Sequence, residues 1–365
     1  MNQPSIAPSN RFGALDLLRF LAVLAVFFGH YTDTFNYVYR IVPANLKYTV
    51  VSRYAVAALL LFLMISGYVV TMTSIKRNLE EFSITRLSRI YPLFWISCFF
   101  AFVLPRVIPA NHSYLAQVSF KTFLFNLTMV PVLFGHPLIN PVYHTLITEL
   151  VFYTLIGIII YFKLWNRILT VISIFLTICL ASEIFTNESV YIFLLPFPAG
   201  MLFYLIRIKY AKSWKLYTLL AIDFILTLLK TKPLAEQLSS TYKEPNSHNM
   251  WIFSAIITVL FILFLLIILN KITIRGNSFL QLLGDITYPF YLFHLYFLFF
   301  YWYFSKTVQA DVLLFGILFI ALLTSWFLNI FVEKPLSRLA AITLKKVTRL
   351  IKKRSPALQS EKTSI

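Results

Sequence analysis

Charge is what this chain has least of. Asp, Glu, Lys and Arg together make up 13% of its 365 residues. So thin a charge supply, beside 59% hydrophobic residues and a mean hydropathy of +0.78, excludes an ordinary water-soluble domain. Cysteine is almost missing as well. Cys98 and Cys179 each lie inside an apolar segment without CxxC spacing, which argues against a disulfide framework and against a zinc site. The 9 glycines build no phosphate-cradling loop, and no internal repeat or appended soluble domain interrupts the pattern.

What fills the chain instead is a succession of apolar runs about 20 residues long, the length that crosses a bilayer as a helix. They fall near residues 14–33, 54–74, 87–105, 143–162, 167–185, 190–207, 214–230, 251–270, 279–304 and 311–332. A weaker run covers 117–134, interrupted by Asn126 and Pro131. Acids number only 14 against 32 bases, a net charge of +18. The bases concentrate in alternate connections: Lys76, Arg77, Arg86 and Arg89; then Lys163 and Arg167; then Arg207 to Lys215; then Lys271 and Arg275; then the tail. Positive loops belong on the cytoplasmic side, so membrane topology and anionic lipid account for the excess, and no nucleic-acid partner is expected. The parity of these loops places 117–134 on the outer surface or as a re-entrant segment. The expected fold is therefore all-α: a polytopic transmembrane helix bundle of about ten spans with both termini cytoplasmic. Residues 1–13 read as a cytoplasmic segment, 14–335 as the transmembrane domain and 336–365 as a basic tail. That tail is amphipathic over "LKKVTRLIKKR", suited to the inner leaflet, and polar and disordered beyond Ser355. The first run carries Arg19 and His30 and no small-residue cleavage site, which reads as a retained span rather than a signal peptide.

Ionisable groups inside spans are costly and mark function by default. Arg19 and His30 stand eleven residues apart, about three turns plus 20°, so both project from one face roughly 16 Å apart along the axis. Asp16, three residues before Arg19, is placed to pair with it. Snorkelling to the headgroups accounts for Arg19 but poorly for a deep histidine. Arg86 and Arg89 open the third span, where guanidinium forks suit phosphate; positive flanking of a span is the competing reading. Glu149 lies two turns into its span with Tyr153 one turn on. His30, at similar depth, is its expected partner, so that the carboxylate would orient a basic imidazole; the alternative is a structural Glu paired with an arginine. His144 falls about 140° from Glu149 and does not share its face. Tyr291 and His294 share a face of the ninth span, either lining a cavity or bonding within the bundle. Glu333 reads as a helix-end stabiliser or a partner of the basic cluster.

Taken in order, six stretches resemble the acyltransferase-3 family of integral membrane acyltransferases: "LDLLRFLAVLAVFFGH", "FLMISGYVV", "FSITRLSRIYPLFW", "ITELVFY", "LGDITYPFYLFH" and "FVEKP". They span residues 15–335. The chain departs from the family pattern at Tyr68, where Phe is common, at Thr287, where Ser is common, and in "VYH", where Trp often precedes the glutamate. The resemblance implies transfer of an acyl group, most often acetyl, from cytoplasmic acetyl-CoA or another acyl-CoA to a hydroxyl of a carbohydrate or lipid-linked glycan. It implies functional roles for Arg19 and His30 and for Arg86 and Arg89, and it favours the stand-alone members that modify O-antigen, exopolysaccharide or related envelope glycans in a bacterial inner membrane. On that reading His30 is the general base, Glu149 orients it, Ser66 or a nearby Tyr donates to the carbonyl oxygen, and Arg19, Arg86 and Arg89 hold the phosphates of the donor, with no metal required. An acyl-histidine intermediate is an open alternative to direct transfer. The competing class is a multi-span transporter or flippase of a glycan or small acid, disfavoured because no paired Gly/Pro-broken helices suggest inverted repeats.

Overall fold

The computed structural model describes residues 13–32, 53–108, 117–185, 192–242, 248–305 and 307–362. Every regular element among them is helical. Among the described residues, seven helical stretches are long and apolar enough to cross a membrane: Gly13–Thr32, Val56–Ser74, Leu79–Val107, Tyr143–Tyr161, Leu164–Ala181, Met250–Ile268 and Ala310–Lys352. Three further helices lie where the hydropathy pattern predicts spans but are shorter: Pro196–Arg207, Ser213–Leu229 and Ser278–Phe293. The stretch expected on the outer surface or as a re-entrant segment is broken into Phe120–Asn126 and a 3-10 turn at Pro131–Phe134. It turns back along the third helix. Arg106 donates to the Val118 carbonyl, Trp95 to that of Leu127 at 3.0 Å and Tyr91 to that of Thr128 at 3.1 Å, so the segment descends about 22 Å beside it.

The helices that build and support the site begin with α1 (Gly13–Phe28), α2 (Val56–Ser74), α3 (Leu79–Val107), α4 (Tyr143–Tyr161) and α5 (Pro196–Arg207). The closest packing in the bundle is α2 on α5, and small residues permit it. A Cβ on Gly67 would stand 2.3 Å from the Phe197 carbonyl oxygen, and one on Gly200 only 2.1 Å from that of Met64. The two backbones are in direct contact. Almost the whole of α5 is buried, so this 12-residue helix is held by its neighbours.

Next come α6 (Ser278–Phe293), α7 (Ala310–Leu328) and α8 (Lys334–Lys362). Pro289 interrupts α6 and has no N–H for the carbonyl of Asp285. The Asn329 side chain supplies the missing donor to that carbonyl at 3.2 Å. Asn329 itself belongs to a π-helical turn, Asn329–Glu333, that joins α7 to α8. The chain thus leaves its last span without a break. The tail helix packs along α3, fastened by an ion pair of Lys352 with Glu80, and its backbone stays helical to Lys362, beyond the Ser355 where composition predicts an end. Its apolar residues Leu339, Ile342, Leu350 and Ile351 remain exposed, as an amphipathic surface helix requires. The connection that carries Arg40 and Lys47, like residues 1–12, lies outside the described residues.

Candidate functional site

The starts of α1 and α8 meet at one end of the bundle, where they enclose a cleft of about 490 Å3. Asp16 and Arg19 reach it from α1, Arg89 from α3, Asp285 from α6, Glu333 from the π-turn, and Lys334 and Arg338 from α8. Asp285 and Glu333 both have partners here. Lys334 Nζ lies 3.0 Å from Asp285 Oδ2, and Glu333 Oε2 accepts from Asn329 at 2.8 Å. The latter bond spans one turn, the helix-end role read for Glu333 in the sequence. Asp16 is buried, and its carboxylate approaches Gly284 so closely that a Cβ there would stand 2.3 Å from its oxygen, room that only glycine leaves. Arg89, Lys334 and Arg338 are exposed toward the cleft mouth.

Deeper in, Arg19, Val69 and Arg89 also line a chamber of about 40 Å3. Here the structure departs from two expectations. Glu149 makes no bond to His30: its Oε1 accepts from Ser66 Oγ at 2.8 Å and from Tyr153 OH at 2.5 Å. The carboxylate thus serves two hydroxyls of the chamber, and equal depth in two spans did not make neighbours. Arg86 is likewise not at the mouth. It is 5% exposed, its guanidinium donating to Thr73 and lying over the rings of Phe82 and Tyr153 at 5.7 and 5.4 Å. Three-residue spacing rotates it about 60° from Arg89, enough to turn one cation inward and leave the other at the entrance. Its Nε is buried with no hydrogen-bond partner.

Phe62 closes the chamber from above, and its ring stacks on Tyr291 at 6.3 Å and 14°. Tyr291 is pinned by its hydroxyl to Thr145 Oγ1 at 2.6 Å and to the Val142 carbonyl at 3.1 Å, so it is a wall rather than a free cavity group. Beyond this aromatic layer the His294 ring lies 5.9 Å from Tyr291 and 5.4 Å from His30. His294 directs Nδ1 at the carbonyls of Tyr291 (2.8 Å) and Phe290 (3.1 Å), which leaves a buried Nε2 without a partner. His30 stands where α1 widens into a π-helical turn over residues 29–32, a distortion that recurs at functional sites. Arg19 and Asp285 line one cleft, and the His30 ring stands against His294 just past the end of α6, so both residues of the predicted stripe lie on the α6 side of α1. His144, set aside on helical phase alone, comes within electrostatic range of His30.

Sequence reading missed the cluster that backs this outer layer. Ser97 meets Tyr143 at 2.8 Å and Tyr296 at 2.9 Å, and Asn140 donates to Tyr296 at 3.3 Å. These four polar residues come from three segments far apart in sequence, which no spacing rule connects. Lys334 and Arg338 were legible only as loop charge. Among the described residues no three His, Cys, Asp or Glu side chains converge as a metal would require.

Comparison with known families finds that a profile described as an acyltransferase domain matches residues 12–330. No curated protein and no solved structure matches.

Proposed function

Because the chain belongs to the acyltransferase-3 family, we propose that it moves an acyl group, acetyl in the first instance, from cytoplasmic acyl-CoA to a hydroxyl of an envelope glycan such as O-antigen or exopolysaccharide. The membrane is the bacterial inner membrane on this reading. One observation supports it above the rest: a cation-lined cleft and a histidine pair lie along the same side of α1, facing α6, with a small chamber between them.

The parts divide the labour. Arg89, Lys334 and Arg338, with Arg19 behind them, offer charge-assisted bonds to the phosphates of the donor. The pantetheine arm is long and narrow, and the roughly 16 Å from Arg19 to His30 suits its length. His30 takes the proton of the acceptor hydroxyl as that oxygen attacks. His294, whose Nδ1 is committed to backbone carbonyls, presents a lone pair to the imidazolium that forms. Phe62 and Tyr291 separate the cytoplasmic water from this chemistry, which keeps the thioester from hydrolysis.

Purified protein in detergent is given labelled acetyl-CoA and envelope glycan. The expected result is label in the glycan, and a fall of about 10²- to 10⁴-fold for His30→Ala, the range typical of a lost general base. Full transfer by His30→Ala would refute the role of His30. Uptake of glycan by vesicles without any acetyl transfer would place the protein among transporters instead.

A further inference from the structure

The chamber between the cleft and the aromatic layer holds chemistry that a single transfer at His30 leaves unused. Ser66 Oγ donates to Glu149 at 2.8 Å, and both residues line the space that Arg19 and Arg89 connect to the cleft. A hydroxyl held on a carboxylate is a nucleophile beside its base. The guanidinium of Arg86 lines the same space, and its buried Nε has no partner, a donor free for an oxyanion. Position adds a third argument. A donor anchored at the cleft reaches Ser66 before it reaches His30, because the Phe62 and Tyr291 rings lie between them. Size adds a fourth: an ordered water needs about 10–15 Å3 of such volume, so the 40 Å3 chamber admits roughly three non-hydrogen atoms, which is an acetyl group.

We propose that Ser66 is the first acceptor, and that the acyl group waits on it as an ester before passing outward. The proposal rests on the acyl-CoA reading above. In the first step Ser66 Oγ attacks the thioester carbonyl carbon and gives its proton to Glu149. The C–O bond forms, the C–S bond breaks, and the departing thiolate of coenzyme A takes that proton. Arg86 faces the oxygen on which negative charge collects. In the second step Phe62 turns aside and the glycan hydroxyl, deprotonated by His30, attacks the ester carbonyl. The Ser66 oxygen leaves and recovers a proton from the imidazolium. No oxidant, reductant or further reactant enters.

The test incubates the purified full chain with [14C]acetyl-CoA without glycan, quenches it in acid and maps the label by peptide mass spectrometry. The expected result is acetylation at Ser66, discharged when glycan is added before the quench, and absent from Ser66→Ala. Ser66→Cys guards against a folding defect, since it should trap the acyl group as a thioester labile to hydroxylamine. Transfer to glycan by wild type without label on Ser66, label on His30 instead, or wild-type transfer by Ser66→Ala would each overturn the proposal while leaving the acyl-CoA reading intact. Failure of wild type to turn over acetyl-CoA at all would remove the reading and the proposal together.

Discussion

At the scale of single residues, the choice of partner decides what a buried group can do. His294 is fixed by two backbone carbonyls at Nδ1, so its proton sits there and its Nε2 is an acceptor beside the His30 ring. On the proposed reading that acceptor receives the cation as it forms on His30, a contribution to the transition state rather than to binding. His294→Ala is therefore expected to lower kcat roughly 10²-fold while leaving KM for acetyl-CoA unchanged, and His294→Gln, which can still accept through its amide oxygen, to recover part of the loss. Steady-state kinetics on the two variants decide it; a rise in KM with kcat preserved would make His294 a binding group. The sequence exposed His30, His294 and Glu149 as polar groups at costly depths, and it paired two of them wrongly. Depth follows from position within a span, whereas the partner depends on how each helix is rotated about its axis, which hydropathy does not encode.

At the scale of helices, the same limit explains the short α5. An apolar stretch can face lipid or protein with equal ease, so 190–207 reads as a span although the helix is 12 residues, about 18 Å, and nearly all of it is covered by neighbours. The signal that distinguishes the two lies in Gly67 and Gly200, which are unremarkable in composition and indispensable in space. Gly200→Ala would drive a methyl group into the Met64 carbonyl oxygen and part α2 from α5, displacing Ser66 with the helix that bears it. The expected cost is about 1–3 kcal/mol, read as a lower unfolding temperature in detergent, together with loss of transfer. Gly316→Ala, on α7 where an added Cβ meets nothing within 4 Å, is the matched control and should leave both unchanged. A Gly200→Ala protein as stable as wild type would show that the two backbones can separate without penalty. The break in 117–134 was legible in the residues themselves, since Asn126 ends the short helix and Pro131 opens the 3-10 turn that follows.

At the scale of the whole molecule, the cleft exists because the chain returns to where it starts. Asp16 and Arg338 are 322 residues apart in sequence and line one cavity, a meeting that parity of the basic loops foreshadows but does not draw. The gathered charge has a purpose that substitution can isolate. Asp285 and Glu333 are engaged by Lys334 and Asn329, while Arg89 and Arg338 stand exposed at the mouth. Exposed charges act on a ligand through screened water and are individually weak. Arg338→Glu is accordingly expected to raise KM for acetyl-CoA roughly three- to tenfold, about 0.6–1.4 kcal/mol, with kcat unaltered because Arg338 lies at the far end of the path from His30. The difference from wild type should shrink as salt rises, since the interaction lost is the one that salt screens. Titrating KM against ionic strength for both proteins checks this. Parallel curves would mean that Arg338 acts through the packing of α8 rather than through its charge, and an equal fall in kcat would place it nearer the chemistry than the cleft allows.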